Sequence, residues 1–363
     1  MTTSLTPAQP RKRLRDRVLR VAELVTTPLL PGDYLDLFNP LRSGAELRGR
    51  IVQVDPETAD ATTITIQPGR DWAGHVPGQY IRIGIDIDGV RHWRAYSLTS
   101  IAGRPDGLVT ITPKAIPDGL VSTHLAHRAE PGTIVMLDQA TGDFVLPPTA
   151  PAKVLFLTAG SGITPVMGML RNRLADLRDV VLLHSAPTAP DVVFGDELRA
   201  LAASGAITLL ERHTDVDGML AVTELDTLVP DWRERETWAC GPTGLLDALE
   251  GAWSEAGVAE RLHTERFRPT VLVVGEGGTL TFTSSGVTVE AEGGRPILDS
   301  AEEAGVLMPS GCRMGICFRC VLPLREGAVR DLRSGDITYA VAGDGTRIQT
   351  CISAPAGDCQ IEH

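Results

Sequence analysis

Cysteines are the side chains in this sequence whose spacing says most about chemistry, because thiolates bind metals and carry electrons. Six occur in 363 residues, and five fall late in the chain: Cys312, Cys317, Cys320, Cys351 and Cys359. The run Cys312-x4-Cys317-x2-Cys320, with thirty residues between Cys320 and Cys351, is the ligand spacing of a plant-type [2Fe–2S] cluster. Such a cluster needs four thiolates and backbone N–H groups turned toward its sulfurs. A short loop holding Gly311 and Gly315 can supply those donors, and Met308, Met314, Ile316 and Phe318 can limit water access. A structural zinc site would pair two close Cys-x2–4-Cys knuckles, whereas here the fourth cysteine stands alone. Cys359 lies outside the pattern and reads as an ordinary thiol.

A second group suits phosphate binding. Thr158-Ala-Gly160-Ser161-Gly162-Ile163-Thr164-Pro165 separates an apolar strand from a helical stretch. Glycines let backbone approach a pyrophosphate, the helix N-terminus offers free N–H groups, and Pro165 fits a first helical turn. A lone Gly-x-Gly can also simply close a strand–helix turn; its place on the first strand of an alternating sheet favours the nucleotide reading. Cys240-Gly241-Pro242 ends a later strand of that sheet, where ligands collect, although a cysteine there can equally be core. Arg94-Ala95-Tyr96-Ser97 offers a guanidinium for a phosphate and a phenol for an aromatic ring. Gly119-Leu-Val-Ser122-Thr123 opens a short helix at Val121–Arg128, another phosphate seat. Taken singly, Arg94 and Tyr96 alternate like ordinary strand residues.

The elements that must position these groups fall into blocks. Residues 1–45 form an extension in which Leu14, Val18, Val21 and Val25 predict a helix with a basic opposite face, packed on the body or weakly docked to a membrane surface or partner. Residues 46–150 hold short alternating runs, such as Arg50–Val54, Thr63–Ile66 and Tyr80–Ile83, broken by Gly and Pro, which predicts a small antiparallel barrel. Across 151–268, Val154–Leu157, Val180–Leu183, Ile207–Leu210 and Thr237–Cys240 alternate with helical stretches including Val166–Leu177 and Gly244–Ala256. That alternation predicts a doubly wound parallel sheet. Residues 269–363 begin with strand-like Val271–Val274, Thr279–Thr283 and Val287–Glu290, then a short helix at Ile297–Ala304 before the cysteine loop.

Composition bounds the rest. A net charge of −12 argues against a nucleic-acid binder, and an apolar fraction of 43% supplies several cores. No apolar run approaches the 18 or so residues of a membrane span, and no uninterrupted apolar stretch follows Arg11-Lys12-Arg13. A cytoplasmic monomer is expected.

Together, Arg94-x-Tyr96-Ser97, Gly160-x-Gly162-x-x-Pro165 and Cys240-Gly241-Pro242 resemble the ferredoxin–NADP reductase family. With the cysteine domain last, the order resembles phthalate dioxygenase reductase and related oxygenase reductases. The resemblance covers residues 46–363 and implies a multidomain chain: an antiparallel β-barrel flavin domain, an α/β nucleotide domain and an α+β β-grasp ferredoxin domain. The extension, through Pro31-Gly-Asp-Tyr34-Leu and Asn39-Pro40-Leu41, is similar to the NADPH-dependent electron-transfer partners of actinobacterial fatty-acid desaturases.

The resemblance implies FAD, with FMN as the alternative, held by Arg94, Ala95, Tyr96, Ser97, Thr112, Lys114, Gly119, Val121, Ser122 and Thr123. Tyr96 would lie against the isoalloxazine, and Ser97 near its N5. The nicotinamide nucleotide would meet Thr158, Gly160, Ser161, Gly162, Thr164, Pro165, Cys240, Gly241 and Pro242. Tyr96, Ser97 and Cys240 would then flank the reacting atoms. His263-x-Glu265-x-Phe267 resembles the segment leaving the nucleotide domain, whose aromatic approaches the flavin.

NADPH is expected over NADH, because Leu183-His184-Ser185-Ala186-Pro187 carries no carboxylate for a free ribose diol. It also lacks the arginine many NADPH users have there, which leaves Arg199 or Arg212 as candidates. The implied acceptor is a desaturase, or alternatively a ring-hydroxylating oxygenase or hydroxylase, with transient membrane docking through a membrane-bound partner allowed. A redox sensor with the same cofactors would need an output module, and no stretch outside the three domains is long enough.

Overall fold

The computed structural model describes residues 39–44, 46–116, 119–267, 275–311, 313–315 and 318–363. The expected helix Arg11–Val25, the motif Pro31–Leu35, the run Val271–Val274, and Cys312 and Cys317 lie outside the described residues.

The first sheet is antiparallel and ordered β4-β3-β6-β1-β2-β5, from β1 (Arg48–Pro56), β2 (Thr62–Pro68), β3 (Tyr80–Ile87), β4 (Val90–Ser97), β5 (Val109–Ile111) and β6 (Ile134–Leu137). A bridge between Leu98 and Ile111 joins its two edges, as the expected barrel requires. Alternation explains the inside: Ile81, Ile83, Ile85 and Ile87 of β3 point into one core with Ile51, Ile64, Ile66 and Ile111. Tyr80, Arg82 and Gly84, on the opposite face of β3, are nonetheless also buried. Something covers the outside of the barrel there. Helix α1 (Leu120–Arg128) plugs the barrel with Val121 and Leu125.

The second sheet is wholly parallel, with order β11-β10-β7-β8-β9. Its strands are β7 (Lys153–Ala159), β8 (Asp179–Ala186), β9 (Thr208–His213), β10 (Glu236–Cys240) and β11 (Leu262–Glu265). Helices α2 (Ile163–Arg173), α3 (Gly195–Ala203) and α4 (Thr243–Glu255) are the principal crossover helices. Sequence order reverses between β7 and β10, the switch point where such sheets bind ligands. β11 was not expected as a strand. Leu-His-Thr-Glu offers a single aliphatic residue because an edge strand does not need a double-sided apolar run.

The third unit is a mixed sheet ordered β13-β12-β17-β14-β15, from β12 (Gly278–Phe282), β13 (Val287–Ala291), β14 (Val321–Asp331), β15 (Ile337–Ala340) and β17 (Ser353–Ile361), with β16 (Arg347–Gln349) pairing to β14. Helix α5 (Ile297–Glu303) lays Ile297, Leu298 and Ala301 on a core shared with Phe282, Val329 and Ile361.

Candidate functional site

β7 ends at Ala159, and a single tight turn, Gly160–Gly162, leads into α2. A Cβ on Gly162 would stand 2.0 Å from the carbonyl oxygen of Cys240, so only glycine lets the loops after β7 and β10 touch. The two predicted motifs thereby share the switch point. Thr164 Oγ1 donates to the Ser161 carbonyl at 2.9 Å, Pro165 is buried in the first turn of α2, and Pro242 caps α4.

Register places Glu265, Cys240, Thr158, His184 and Glu211 side by side across all five strands. Side chains at one register share one face. That face carries a core joined by Phe144 and Leu146 of the barrel block. Cys240 is completely buried within it, and burial, with Glu265 alongside, pushes its thiol well above the ordinary range. It is a neutral thiol among core side chains. Burial, then Asp143, pushes the Glu265 carboxyl up to about 7. Thr158 Oγ1 and His184 Nδ1 lie 2.8 Å apart, and burial lowers His184 to about 4. Sequence reasoning gave His184 no role; the missed signal was strand parity, which puts it on the same face as Thr158.

The barrel motif behaves differently at each residue. Arg94 is partly buried and donates to the Trp93 carbonyl at 2.8 Å. Burial, and then the Arg313 cation, hold its guanidinium down to about 10. The carboxylates near it, Asp299 and Glu302, are taken by Arg313, and no ion pair reaches Arg94 among the described residues. Such a cation calls for an added anion. Burial pushes the Tyr96 phenol above its ordinary value, so it stays neutral while lying along the barrel core. Ser97 is buried at the end of β4.

Several expected contacts are already committed elsewhere. Ala95 packs on Tyr80 and Met314, Val121 points into the barrel core, and Thr112 Oγ1 pairs with Thr63 Oγ1 at 2.9 Å. Lys114 is ion-paired with Asp60. Ser122 Oγ donates to the Gly119 carbonyl at 3.2 Å while Thr123 is exposed. The two arginines considered for a 2′-phosphate are engaged as well. Arg199 makes two 2.8 Å bonds to Glu211, and Arg212 holds Glu224 and the carbonyls of Asp217 and Gly218. Phe267 is exposed.

The cysteine loop brings distant residues together. Cys320 Sγ and Cys351 Sγ lie 3.2 Å apart, buried at the edge of the third core. Arg313 and Phe318 have φ of 58° and 56°, left-handed backbone of the kind found in anion-binding turns. Met314 of this loop reaches the barrel, against Tyr80 and Ala95. Over Tyr80 the cover on β3 is therefore the cysteine loop, and over Gly84 it is the indole of Trp93.

Three domain families match in the same order: an oxidoreductase FAD-binding domain over residues 59–146, an oxidoreductase NAD-binding domain over 156–250, and a 2Fe-2S iron-sulfur cluster binding domain over 280–356. An NADPH oxidoreductase of Mycobacterium tuberculosis is 52% identical over 350 residues, spanning 94% of this chain and 91% of that one. The chain belongs to the flavin- and [2Fe–2S]-dependent NAD(P)H oxidoreductases. A glycine betaine monooxygenase reductase subunit of Pseudomonas aeruginosa is 29% identical, over 90% of this chain and 99% of its own. The structure of phthalate dioxygenase reductase shares the fold at 22% identity, with a TM-score of 0.59 over 87% of this chain and 97% of that one.

This oxidoreductase uses FAD, NAD(P)H and a [2Fe–2S] cluster. The residues fit those groups. Arg94 has no ion-pair partner among the described residues, the Gly160–Gly162 turn stands at a helix start, and Cys320 and Cys351 converge. Helix α2 also ties the nucleotide domain to the barrel segment that follows β4. Asn172 bonds the Ser100 carbonyl and the Ala102 N–H at 3.0 and 2.7 Å, and Arg171 bonds the Thr99 carbonyl at 2.8 Å. These three bonds fall on Thr99–Ala102, two to five residues past Ser97. No helix among the described residues is long and apolar enough to cross a membrane.

Proposed function

We propose that this protein takes electrons from NADPH and passes them through FAD and then the [2Fe–2S] cluster to an oxygen-activating partner, a fatty-acid desaturase in the first instance. The observation that carries the order is Met314 of the cysteine loop seated on Tyr80 and Ala95, beside the flavin strand. Bound FAD would supply the conversion of a two-electron hydride, which leaves NADP+, into single electrons that a [2Fe–2S] cluster can carry, with release of a proton. Arg94 holds the flavin pyrophosphate, its unpaired charge being suited to that anion. Tyr96, neutral and aromatic, covers the ring, and Ser97 offers its hydroxyl at the edge. The Gly160–Gly162 turn and the start of α2 seat the nucleotide pyrophosphate. Cys240, as a neutral thiol, supplies shape and excludes water rather than acting as a nucleophile. Cys312, Cys317, Cys320 and Cys351 are the cluster ligands.

The oxygenase side of this reading draws on the glycine betaine monooxygenase reductase subunit among its relatives, which makes a monooxygenase or ring-hydroxylating oxygenase the second acceptor class. NADPH is favoured by the carboxylate-free tip Ser185-Ala186-Pro187 and by the name of the Mycobacterium relative. kcat/KM for NADPH should exceed that for NADH by about tenfold, or about 1.4 kcal/mol of transition-state discrimination. A preference for NADH reverses the assignment. The order is tested with Cys317→Ser. Ferricyanide reduction by NADPH should survive near its original rate, while reduction of a one-electron protein acceptor should collapse. Full retention of protein-acceptor reduction would remove the cluster from the path.

A further inference from the structure

The outer face of the barrel holds a seat whose occupant comes from the cysteine loop. On β3 and β4, Gly84 lies opposite Trp93. A Cβ on Gly84 would be 2.8 Å from Trp93 Cε2, so the missing side chain is what lets the indole lie across β3. Two guanidiniums meet that ring: Arg82 of β3 at 5.6 Å from its centroid, and Arg319, beside Cys320, at 5.1 Å. Asp138, just past β6, pairs with both; its Oδ1 is 3.0 Å from Arg319, and its Oδ2 takes Arg82. Arg82 is buried whereas Arg319 is about half exposed. One guanidinium is thus a fixed part of the barrel, and the other is removable.

We propose that Gly84, Trp93, Arg82 and Asp138 form a clasp for Arg319, and that this clasp holds the cluster loop against the flavin strand in the posture that passes electrons inward to outward. Arg319 is a positioning residue. It binds no cofactor; it sets the approach of the loop whose cysteines do. A half-exposed ion pair and a cation over an indole are each weak contacts, so the clasp closes reversibly and is screened by salt. That suits a loop that must also yield its electron to a separate protein. The inference rests on the flavin-to-cluster order proposed above.

The test compares holoprotein carrying Arg319→Glu, Arg319→Lys or Trp93→Leu with the wild type, by small-angle scattering and by rapid mixing with NADPH. Flavin reduction should be unchanged in all. Cluster reduction should slow about tenfold in Arg319→Glu and Trp93→Leu, with an increased radius of gyration, whereas Arg319→Lys should stay compact and lose less. Raising salt to about 0.5 M should slow the wild type toward Arg319→Glu and change that variant far less. If Arg319→Glu keeps both the wild-type radius and the wild-type cluster rate, the clasp is refuted. If the radius grows and the rate does not change, the positioning role is refuted. A wild type whose cluster never accepts flavin electrons, but whose radius still responds to Arg319→Glu, would sink the electron order and leave the clasp standing.

Discussion

At the scale of single residues, burial sets protonation, and protonation sets what each group can do. His184 is the clearest case. It is completely buried and hydrogen-bonded only through Nδ1, with Nε2 lacking a partner among the described residues. Its folded-state value near 4 lies below the ordinary 6.5, so the unfolded chain binds the proton first. Stability from this group is therefore fully present above pH 6.5 and lost as pH falls toward 4, roughly 3 kcal/mol in all. Glu265 works the other way: its raised value means stability is lost as pH climbs from 4.5 toward 7. The two overlap near pH 5–6, so the wild-type profile alone does not separate them. His184→Gln, which keeps an acceptor for Thr158, should be less stable than wild type at pH 7.5. That deficit should shrink steadily toward pH 4.5 in urea titrations. A deficit independent of pH would mean that His184 takes its proton as readily in the fold as in the unfolded chain.

At the scale of elements, the decisive contact is between two loops rather than two side chains. The loops after β7 and β10 meet at Gly162, where a methyl group would overlap the Cys240 carbonyl. Gly162→Ala must part the two strand ends, at about 1–3 kcal/mol for overpacking. NADPH-dependent ferricyanide reduction should fall at least about tenfold while flavin content, counted after denaturation, stays level. Loss of flavin in step with activity would show that the damage is not confined to the nucleotide seat. The sequence announced these loops well, because glycine, proline and strand–helix alternation are local signals. It announced β7, β8 and β10 for the same reason, their double-sided burial leaving continuous apolar runs. What it did not reveal depends on register. The row from Glu265 to Glu211, the engagement of Arg199 and Arg212, and the seat on Gly84 each arise from which residues strand pairing and side-chain geometry set against one another. Pairing in the fold, not sequence pattern, brings these partners together, even where they lie only nine or twelve residues apart. β11 escaped for a related reason, an edge strand of four residues having too little apolar pattern to register.

At the scale of the molecule, the cores do not follow a simple one-per-domain rule. Ala61, Phe144 and Leu146 from the barrel block share one apolar cluster with Phe156, Met169 and Trp238 of the nucleotide sheet, so those two units are welded. The third unit keeps a core of its own, and among the described residues it meets the barrel through Met314 on Tyr80 and Ala95. Two cooperative bodies should therefore exist, one built on the first two domains and one on the cluster domain. Tryptophan reports on only one of them, since Trp72, Trp93, Trp232, Trp238 and Trp253 all precede residue 268. Stripping iron with a chelator removes the thiolate anchor of the cluster loop and should unfold that domain. The visible cluster band should vanish while flavin stays bound and four of the five indoles keep their emission. Trp93, uncovered as Arg319 leaves, should account for the small red shift that remains, and Trp93→Phe should abolish that shift. Release of flavin and full exposure of tryptophan in the same step would mean that all three domains unfold as one.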